Sequence, residues 1–154
     1  MRVWIDAAAA PAELRIFGLS LIERHLRALA RLAGRITEVR IDGNPGPLPD
    51  DLKLRIDVHA GDSQAPAGAR LAAYLARSDE PVIAIAGDSI VDSRLFTAFL
   101  DTTGSCVARN DDAGNPACLL RLEKETAPLI PCDASTVAEI GRQLLAEGHV
   151  RPFT

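Results

Sequence analysis

The chain has 154 residues, which is long enough for one domain with a single sizeable core. Hydrophobic residues make up 47% and charged residues 25%, as in an ordinary water-soluble globular protein. The formal net charge of −4 argues against nonspecific binding to nucleic acid. No apolar run approaches the roughly 20 residues that are needed to cross a bilayer.

The cysteines and the amino-terminal segment indicate a cytoplasmic protein. Cys106, Cys118 and Cys132 are an odd number and have no Cys-x-x-Cys spacing, which predicts reduced and mostly buried thiols. No signal peptide precedes the first predicted strand. If the chain belongs to a larger membrane protein, we expect this part on the cytoplasmic face.

Short β-rich runs alternate with helical patterns, which is typical of a Rossmann-like α/β fold with three layers and a mostly parallel sheet. The predicted strands cover residues 3–6, 36–41, 54–58, 82–86, 105–109 and 117–122. Residues 111–116 separate the last two strands and predict a hairpin turn.

The first helix, predicted over residues 18–33, has an apolar face and a basic face. The apolar face carries Ile22, Leu26, Leu29 and Ala33, and the basic face carries Arg24, Arg27, Arg31 and Arg35. The arginine stripe has two interpretations. It is either a solvated face of a helix packed on the sheet, or a docking site for phosphate, lipid head groups or RNA.

Three further helices are predicted over residues 66–77, around residues 95–100, and over residues 135–147. In the last of them, Thr136 and Glu139 have the spacing of a capping box, and Gly148 is predicted to end the helix. We therefore predict a domain over residues 1–148. Residues 149–154 are then a tail that pairs along a sheet edge, or a linker.

Aspartates end three of the predicted parallel strands, at Asp6, Asp57 and Asp88. Ligands of open α/β sheets bind beyond the carboxyl ends of the strands, and carboxylates placed there can bind Mg²⁺. Each aspartate also has a purely structural interpretation, as a strand terminator or helix cap. Asp57 and His59 share a strand face and are candidates for an acid–base pair, although no nucleophile accompanies them.

The run Ile83-Ala84-Ile85-Ala86-Gly87-Asp88 resembles the strand-Gly-Asp element of nucleotidyltransferases of the sugar-phosphate and molybdopterin-guanylyl type. Residues 68–73 resemble the helix before that strand, and residues 18–33 resemble the helix after the phosphate loop. The three segments occur in the family's order within about residues 1–100. The resemblance implies a reduced glycosyltransferase-A-like fold.

The resemblance also implies the ligands. Asp88, preceded by Gly87, would hold a Mg²⁺ ion that bridges the nucleotide phosphates, and Gly68 would lie near the base. Asp6, at the end of the first strand, and Arg15, the one cation of residues 7–17, are the other candidates for binding the nucleotide. The similarity is greatest to cytidylyltransferase-like domains fused to CDP-alcohol phosphotransferases, which implies CTP as the nucleotide and a membrane-embedded enzyme as the partner.

The phosphate loop is where the chain departs from the family. Members have glycines, an arginine and a lysine before the first helix, whereas residues 7–17 contain neither glycine nor lysine and only Arg15 as a cation. Glycine amides and cations are what hold phosphate in such loops. A second metal-binding aspartate has a candidate only in Asp133.

These departures predict a degenerate domain that is an accessory, regulatory or scaffolding part of a CDP-alcohol phosphotransferase, with at most residual nucleotide binding. One alternative is an active Mg²⁺-dependent cytidylyltransferase that makes a CDP-polyol from CTP and a polyol phosphate. Another is a homodimerisation module that uses the arginine helix or the late hairpin.

Overall fold

A computed structural model describes residues 1–8, 14–60, 64–109 and 116–153 of the chain. The strands are β1 (Arg2–Asp6), β2 (Arg15–Ile16), β3 (Leu19–Ser20), β4 (Glu38–Asp42), β5 (Ile56–His59), β6 (Val82–Ala86), β7 (Cys106–Arg109), β8 (Pro116–Leu122) and β9 (Arg151–Phe153). The α-helices are α1 (Leu21–Ala30), α2 (Ala67–Ala76), α3 (Ser93–Asp101) and α4 (Val137–Ala146). Short 3-10 helices cover Ala33–Arg35 and Lys124–Leu129.

The main sheet has seven strands in the order β5-β4-β1-β6-β8-β7-β9. Strand β1 is parallel to β4 and β6, and β4 is parallel to β5. Strand β8 runs antiparallel to both of its neighbours, β6 and β7. The predicted α/β class and the mostly parallel sheet are confirmed.

Helices cover both faces of this sheet because side chains alternate along β1. Val3 and Ile5 point into a core that they share with α1 and α3. Trp4 points to the opposite face, into a core that it shares with α2 and α4. The three-layer arrangement follows from this alternation, and it places α1 and α2 on opposite sides of the sheet.

The start of the first helix differs from the prediction. Residues 15–20 form a small hairpin of β2 and β3, with positive φ angles of 52° at Phe17 and 80° at Gly18. Helix α1 therefore begins at Leu21, and Ser20 Oγ caps it by accepting a hydrogen bond from the Glu23 amide at 3.1 Å. Two-residue strands are too short to show an alternating pattern, so the sequence carried no signal for the hairpin.

Other predicted boundaries move by one or two residues. Strand β4 starts at Glu38 because Ala33–Arg35 forms a 3-10 helix, and β5 ends at His59 and not at residue 58. The predicted turn at 111–116 lies almost wholly outside the described residues. Cys106 is buried as predicted, whereas Cys132 is exposed, which corrects the expectation for that thiol.

The carboxyl-terminal segment continues the sheet. Helix α4 is capped by Thr136 Oγ1, which accepts from the Glu139 amide at 3.1 Å, and Gly148 follows the helix with a φ of 74°. Strand β9 then pairs in parallel with β7 at the sheet edge. The division of the chain at residue 148 stays a prediction. Among the described residues, no helix is both long and apolar enough to span a membrane.

Candidate functional site

Two carboxylates lie side by side at the carboxyl end of the parallel strands. Asp6 ends β1, Asp42 ends β4, and the two residues are register partners in this parallel pair. Both are buried, with 5% of Asp6 and 0% of Asp42 exposed. Neighbouring buried negative charges repel each other and lose hydration, so the pair requires a cation.

Arg70 of α2 supplies this cation. Its Nη2 donates to Asp6 Oδ1 at 3.0 Å, and its Nη1 donates to Asp42 Oδ2 at 3.5 Å. Its Nε donates to the carbonyl oxygen of Ala65 at 2.9 Å, which fixes the guanidinium plane. The forked guanidinium suits this position because one group can serve two carboxylates at once.

Two more side chains complete what we term the Arg70 cluster: Trp4, Asp6, Arg40, Asp42 and Arg70. Trp4 Nε1 donates to Asp42 Oδ2 at 2.9 Å, and Arg40 Nε donates to Asp42 Oδ1 at 2.8 Å. The Arg70 guanidinium carbon lies 5.5 Å from the centroid of the Trp4 ring. Two carboxylates thus face two guanidinium groups, and the cluster ties β1, β4 and α2 together.

An open cleft of about 360 Å³ borders the Arg70 cluster, and we term it the Asp6 cleft. Its lining includes Asp6, Gln64, Pro66, Arg70, Asp133 and Ser135. Helix α2 begins at this cleft, and its N-cap residue Pro66 provides no side-chain cap. One amide of this first turn, that of Gly68, is bonded to the carbonyl oxygen of Ala134, so the helix dipole is what favours an anionic group at this cleft.

Two predicted site glycines have packing roles next to this cleft. A Cβ atom on Gly87 would meet the carbonyl oxygen of Asp6 at 2.5 Å, and one on Gly68 would collide with the carbonyl oxygen of Pro131. The Gly87 amide donates to Asp6 O at 2.8 Å and the Gly68 amide to Ala134 O at 2.9 Å. Glycine at these positions allows backbone segments to touch, whether or not a ligand binds.

Asp88 follows Gly87 in the turn after β6. Its side chain is exposed and makes no hydrogen bond or ion pair in the part of the chain that the structure describes. No group of three His, Cys, Asp or Glu side chains among the described residues is arranged to hold a metal ion. Asp88 is therefore a single available carboxylate that would need oxygen ligands from a bound nucleotide to hold a divalent cation.

The other predicted site residues are dispersed. Arg15 lies in β2, where its Nη1 donates to the carbonyl oxygen of Gly18 at 2.9 Å across its own hairpin. Asp133 is exposed at the rim of the Asp6 cleft. Asp57 and His59 do face the same side of β5, with 2.7 Å between Asp57 Oδ2 and His59 Nε2, at the outer edge of the sheet. Ligand roles for Asp6, Arg15, Gly68, Gly87 and Asp88 stay predictions.

Sequence reasoning missed Asp42 and the role of Arg70. The predicted strand ends at residue 41, whereas β4 ends at Asp42, so the sequence pattern does not mark Asp42 as a strand-end carboxylate. Arg70 precedes Tyr74 by four residues and so lies on the inward face of α2. A charged residue on an apolar helix face was the available signal for a buried ion pair.

Comparison with solved structures decides which fold family this arrangement represents. A nucleotidyl transferase from Methanothermobacter superposes with a TM-score of 0.69 at 15% identity, covering 97% of this chain and 86% of that one. The chain has the nucleotidyltransferase fold. No family model and no curated protein matches the sequence.

Two further similar structures contain a bound ligand, CTP in one and manganese in the other. CMP:2-keto-3-deoxy-manno-octonic acid synthetase in complex with CTP gives a TM-score of 0.64 at 13% identity, covering 98% of this chain and 88% of that one. A Mycobacterium tuberculosis protein in complex with manganese gives 0.63 at 17% identity, with 99% and 86% covered. At these identities the similarity concerns the fold.

Proposed function

We propose that this chain is a degenerate nucleotidyltransferase-like domain that retains weak nucleotide binding at the Asp6 cleft and acts as an accessory domain. The observation that carries the proposal is the Arg70 cluster. Asp6 ends the strand after which the family places its phosphate loop, and its carboxylate is already neutralised by Arg70 at 3.0 Å. A carboxylate engaged in this way is a poor ligand for a catalytic metal.

The segment after Asp6 supports the same proposal. Residues 7–17 offer neither glycine nor lysine, and the guanidinium of Arg15 bonds to the carbonyl oxygen of Gly18. Transfer of a nucleotidyl group requires preorganised donors and cations around the phosphates, because the developing charge must be stabilised without reorganisation. We therefore expect binding without efficient turnover.

Residual binding has two supporting features. The first turn of α2 lies at the Asp6 cleft, where the helix dipole suits an anion. Asp88 is available to share a divalent cation, Mg²⁺ or Mn²⁺, with the phosphate oxygens of a nucleotide. CTP is the nucleotide to test first, because a solved protein of this fold was crystallised with it.

Thermal unfolding with CTP and Mg²⁺ tests the binding. A ligand present at 100 times its dissociation constant stabilises the folded state by about 2.7 kcal/mol, so even weak binding shifts the melting temperature at millimolar CTP. We expect a shift with wild type, a smaller one with Asp88→Ala, and no pyrophosphate release when a polyol phosphate is added. Absence of any shift at millimolar CTP contradicts residual nucleotide binding.

The second candidate function is cytidylyl transfer from CTP to a polyol phosphate. The exposed carboxylate of Asp88 is the observation that favours it. An active cytidylyltransferase would release pyrophosphate from CTP in the presence of a polyol phosphate and would lose that activity in Asp88→Ala. If such turnover is measured, the chain is an active enzyme and the proposal of an accessory domain is wrong. Asp133→Ala, at the rim of the Asp6 cleft, tests whether a second aspartate takes part.

The proposed partner is a membrane-embedded CDP-alcohol phosphotransferase, for which the family resemblance is the support. The reading frame beyond Thr154 tests this proposal directly, since apolar helices with the aspartate-rich motif of that enzyme class would identify the partner. A homodimer is the competing assembly. Concentration-dependent sedimentation that is unaffected by CTP would favour the dimer.

A further inference from the structure

A second cleft lies on the opposite face of the sheet from the Arg70 cluster. It has a volume of about 490 Å³ and separates α1 from the segment between β6 and α3. We term it the α1 cleft, and its lining includes Leu19, Arg24, His25, Arg31, Ser89 and Ile90. Because α1 packs on the Val3 face and α2 on the Trp4 face, this cleft is separate from the Asp6 cleft. Its volume is in the range of small-molecule sites.

The arginine stripe of α1 is divided between paired and unpaired cations. Arg27 pairs with Glu23 at 2.9 Å and with Asp51 at 3.4 Å, and Arg35 pairs with Asp101 at 2.7 Å. Arg27 and Arg35 thus fit the interpretation of the stripe as a solvated surface with salt bridges.

Arg24 and Arg31, by contrast, have no ion-pair partner among the described residues, and both line the α1 cleft. They lie two helical turns apart on one side of α1, at about 10.5 Å along the axis. The one acidic side chain of the lining, Asp92, is already paired with Arg94. The α1 cleft therefore has unmatched positive charge at both ends.

The cleft also has apolar walls and a buried polar atom. Leu19, Ala28 and Val91 line it, and Ile90 is 68% exposed although it is a large aliphatic side chain. His25 is only 3% exposed, and its Nε2 has no hydrogen-bond partner in the described part of the protein. Burial lowers the pKa of His25 to about 4, so the imidazole is neutral at neutral pH and can serve as a hydrogen-bonding group.

We propose that the α1 cleft binds a small phosphate ester with an apolar body. The phosphate is held by Arg24 or Arg31, whose guanidinium groups match phosphate geometry. The apolar body covers Ile90 and Leu19, which removes that hydrophobic surface from water. Free phosphate esters and lipid phosphates share this chemistry, and the experiment separates the two sources.

Phenyl phosphate is the probe for a free ester. Inorganic phosphate and phenol, which carry only its anionic group and only its apolar group, are the comparison ligands. Binding to the full chain is followed by amide chemical shifts and by titration calorimetry. We expect phenyl phosphate to bind more tightly than either half, with shifts in residues of α1 and in residues 89–93. Either Arg24→Gln or Arg31→Gln should weaken binding by at least about tenfold, which is ~1.4 kcal/mol.

Two variants give matched comparisons. Arg142→Gln removes an exposed arginine from α4, outside the α1 cleft, and should leave binding unchanged. Ile90→Ser should weaken phenyl phosphate and leave inorganic phosphate as it was, because only the ester has an apolar body.

The lipid source is tested by cosedimentation with phosphatidylcholine vesicles that contain phosphatidic acid, against vesicles without it. Sedimentation that depends on phosphatidic acid and is lost in Arg24→Gln/Arg31→Gln identifies a lipid phosphate as the source. The proposal is overturned if millimolar phenyl phosphate and phosphatidic acid vesicles both fail to bind. It is equally overturned if the affinity is the same in wild type and in the double arginine variant.

Discussion

Arg70 and Asp6 are 64 residues apart in the chain, and their side chains form an ion pair of 3.0 Å in which each is only 6% exposed. The pair closes a cluster that also contains Asp42, whose carboxylate is fully buried. A buried charge that loses its partner keeps the cost of desolvation without the compensating attraction. Arg70 is therefore the residue that stabilises the carboxyl ends of β1 and β4 against the repulsion between Asp6 and Asp42.

Arg70→Met is therefore expected to lower the free energy of unfolding by about 3–5 kcal/mol, since it leaves Asp6 and Asp42 facing each other without that cation. Urea denaturation measures the change. Arg77→Met, an exposed position just after the end of α2, is the control and should stay within about 0.5 kcal/mol of wild type. Combining Arg70→Met with Asp6→Asn should recover part of the loss. A loss of less than about 1 kcal/mol in Arg70→Met would show that water already screens the two carboxylates.

His25 makes stability depend on pH. Its pKa is about 4 in the folded protein against 6.5 ordinarily, because burial disfavours the charged ring, so the unfolded chain binds more protons between these values. The stability that the neutral ring retains at pH 7 is lost progressively as the pH falls from about 6.5 through about 4. The total decrease in the free energy of unfolding over this pH range is about 3 kcal/mol.

Urea denaturation at pH 7 and pH 4.5 measures this dependence, and His25→Gln should flatten it. His149→Gln, at an exposed position near the end of the chain, should keep the wild-type pH dependence. Parallel pH profiles for wild type and His25→Gln would contradict the assignment of the dependence to this ring.

Gly68→Ala tests the close approach of α2 to residues 131–134. The added methyl group would collide with the carbonyl oxygen of Pro131, so the backbone must shift. We expect a loss of about 1–3 kcal/mol, as is usual for overpacking, and a lower melting temperature. Gly34→Ala is the matched control, because its Cβ would have no atom within 4 Å and its φ is not positive. Equal melting temperatures for the two variants would be inconsistent with this contact.

Ser20→Ala removes the cap that sets the start of α1. The hydroxyl accepts from the Glu23 amide at 3.1 Å, and loss of such a cap typically costs about 1 kcal/mol. Ser93→Ala, in the first turn of α3 and exposed, removes a hydroxyl that does not cap its helix and should be nearly neutral. Calorimetric unfolding of both variants compares the two serines directly, and a Ser20→Ala protein as stable as Ser93→Ala would argue against the cap.

The parts of the fold that the sequence predicted are those with local patterns. The run of five small and β-branched residues at Val82–Ala86 was predicted with the observed bounds, because a short apolar run followed by Gly87 and Asp88 ends sharply. The spacing of Thr136 and Glu139 likewise marked the start of α4. In both cases the interactions that fix the element occur within a few residues of it.

The parts that escaped prediction depend on distant contacts. Arg70 reaches Asp42 across 28 residues and Asp6 across 64. Its place on the apolar face of α2 signals burial, but no local pattern identifies these two carboxylates as its partners. The family resemblance predicts ligand-binding roles for Gly68 and Gly87, whereas the close backbone contact that the structure gives each of them is not visible in the spacing alone. The charge balance at the carboxyl edge of the sheet became visible only when α2 was placed beside β1 and β4.

The place of β1 between β4 and β6 has a consequence for how the protein is made. Both neighbours of β1 are encoded after it, and β6 ends only at Ala86. A nascent chain leaving the ribosome can shield one side of this apolar strand once β4 has emerged. The other hydrogen-bonding edge of β1 stays unpaired until β6, which begins at Val82, has also emerged, and an unpaired apolar strand is prone to aggregation over that interval.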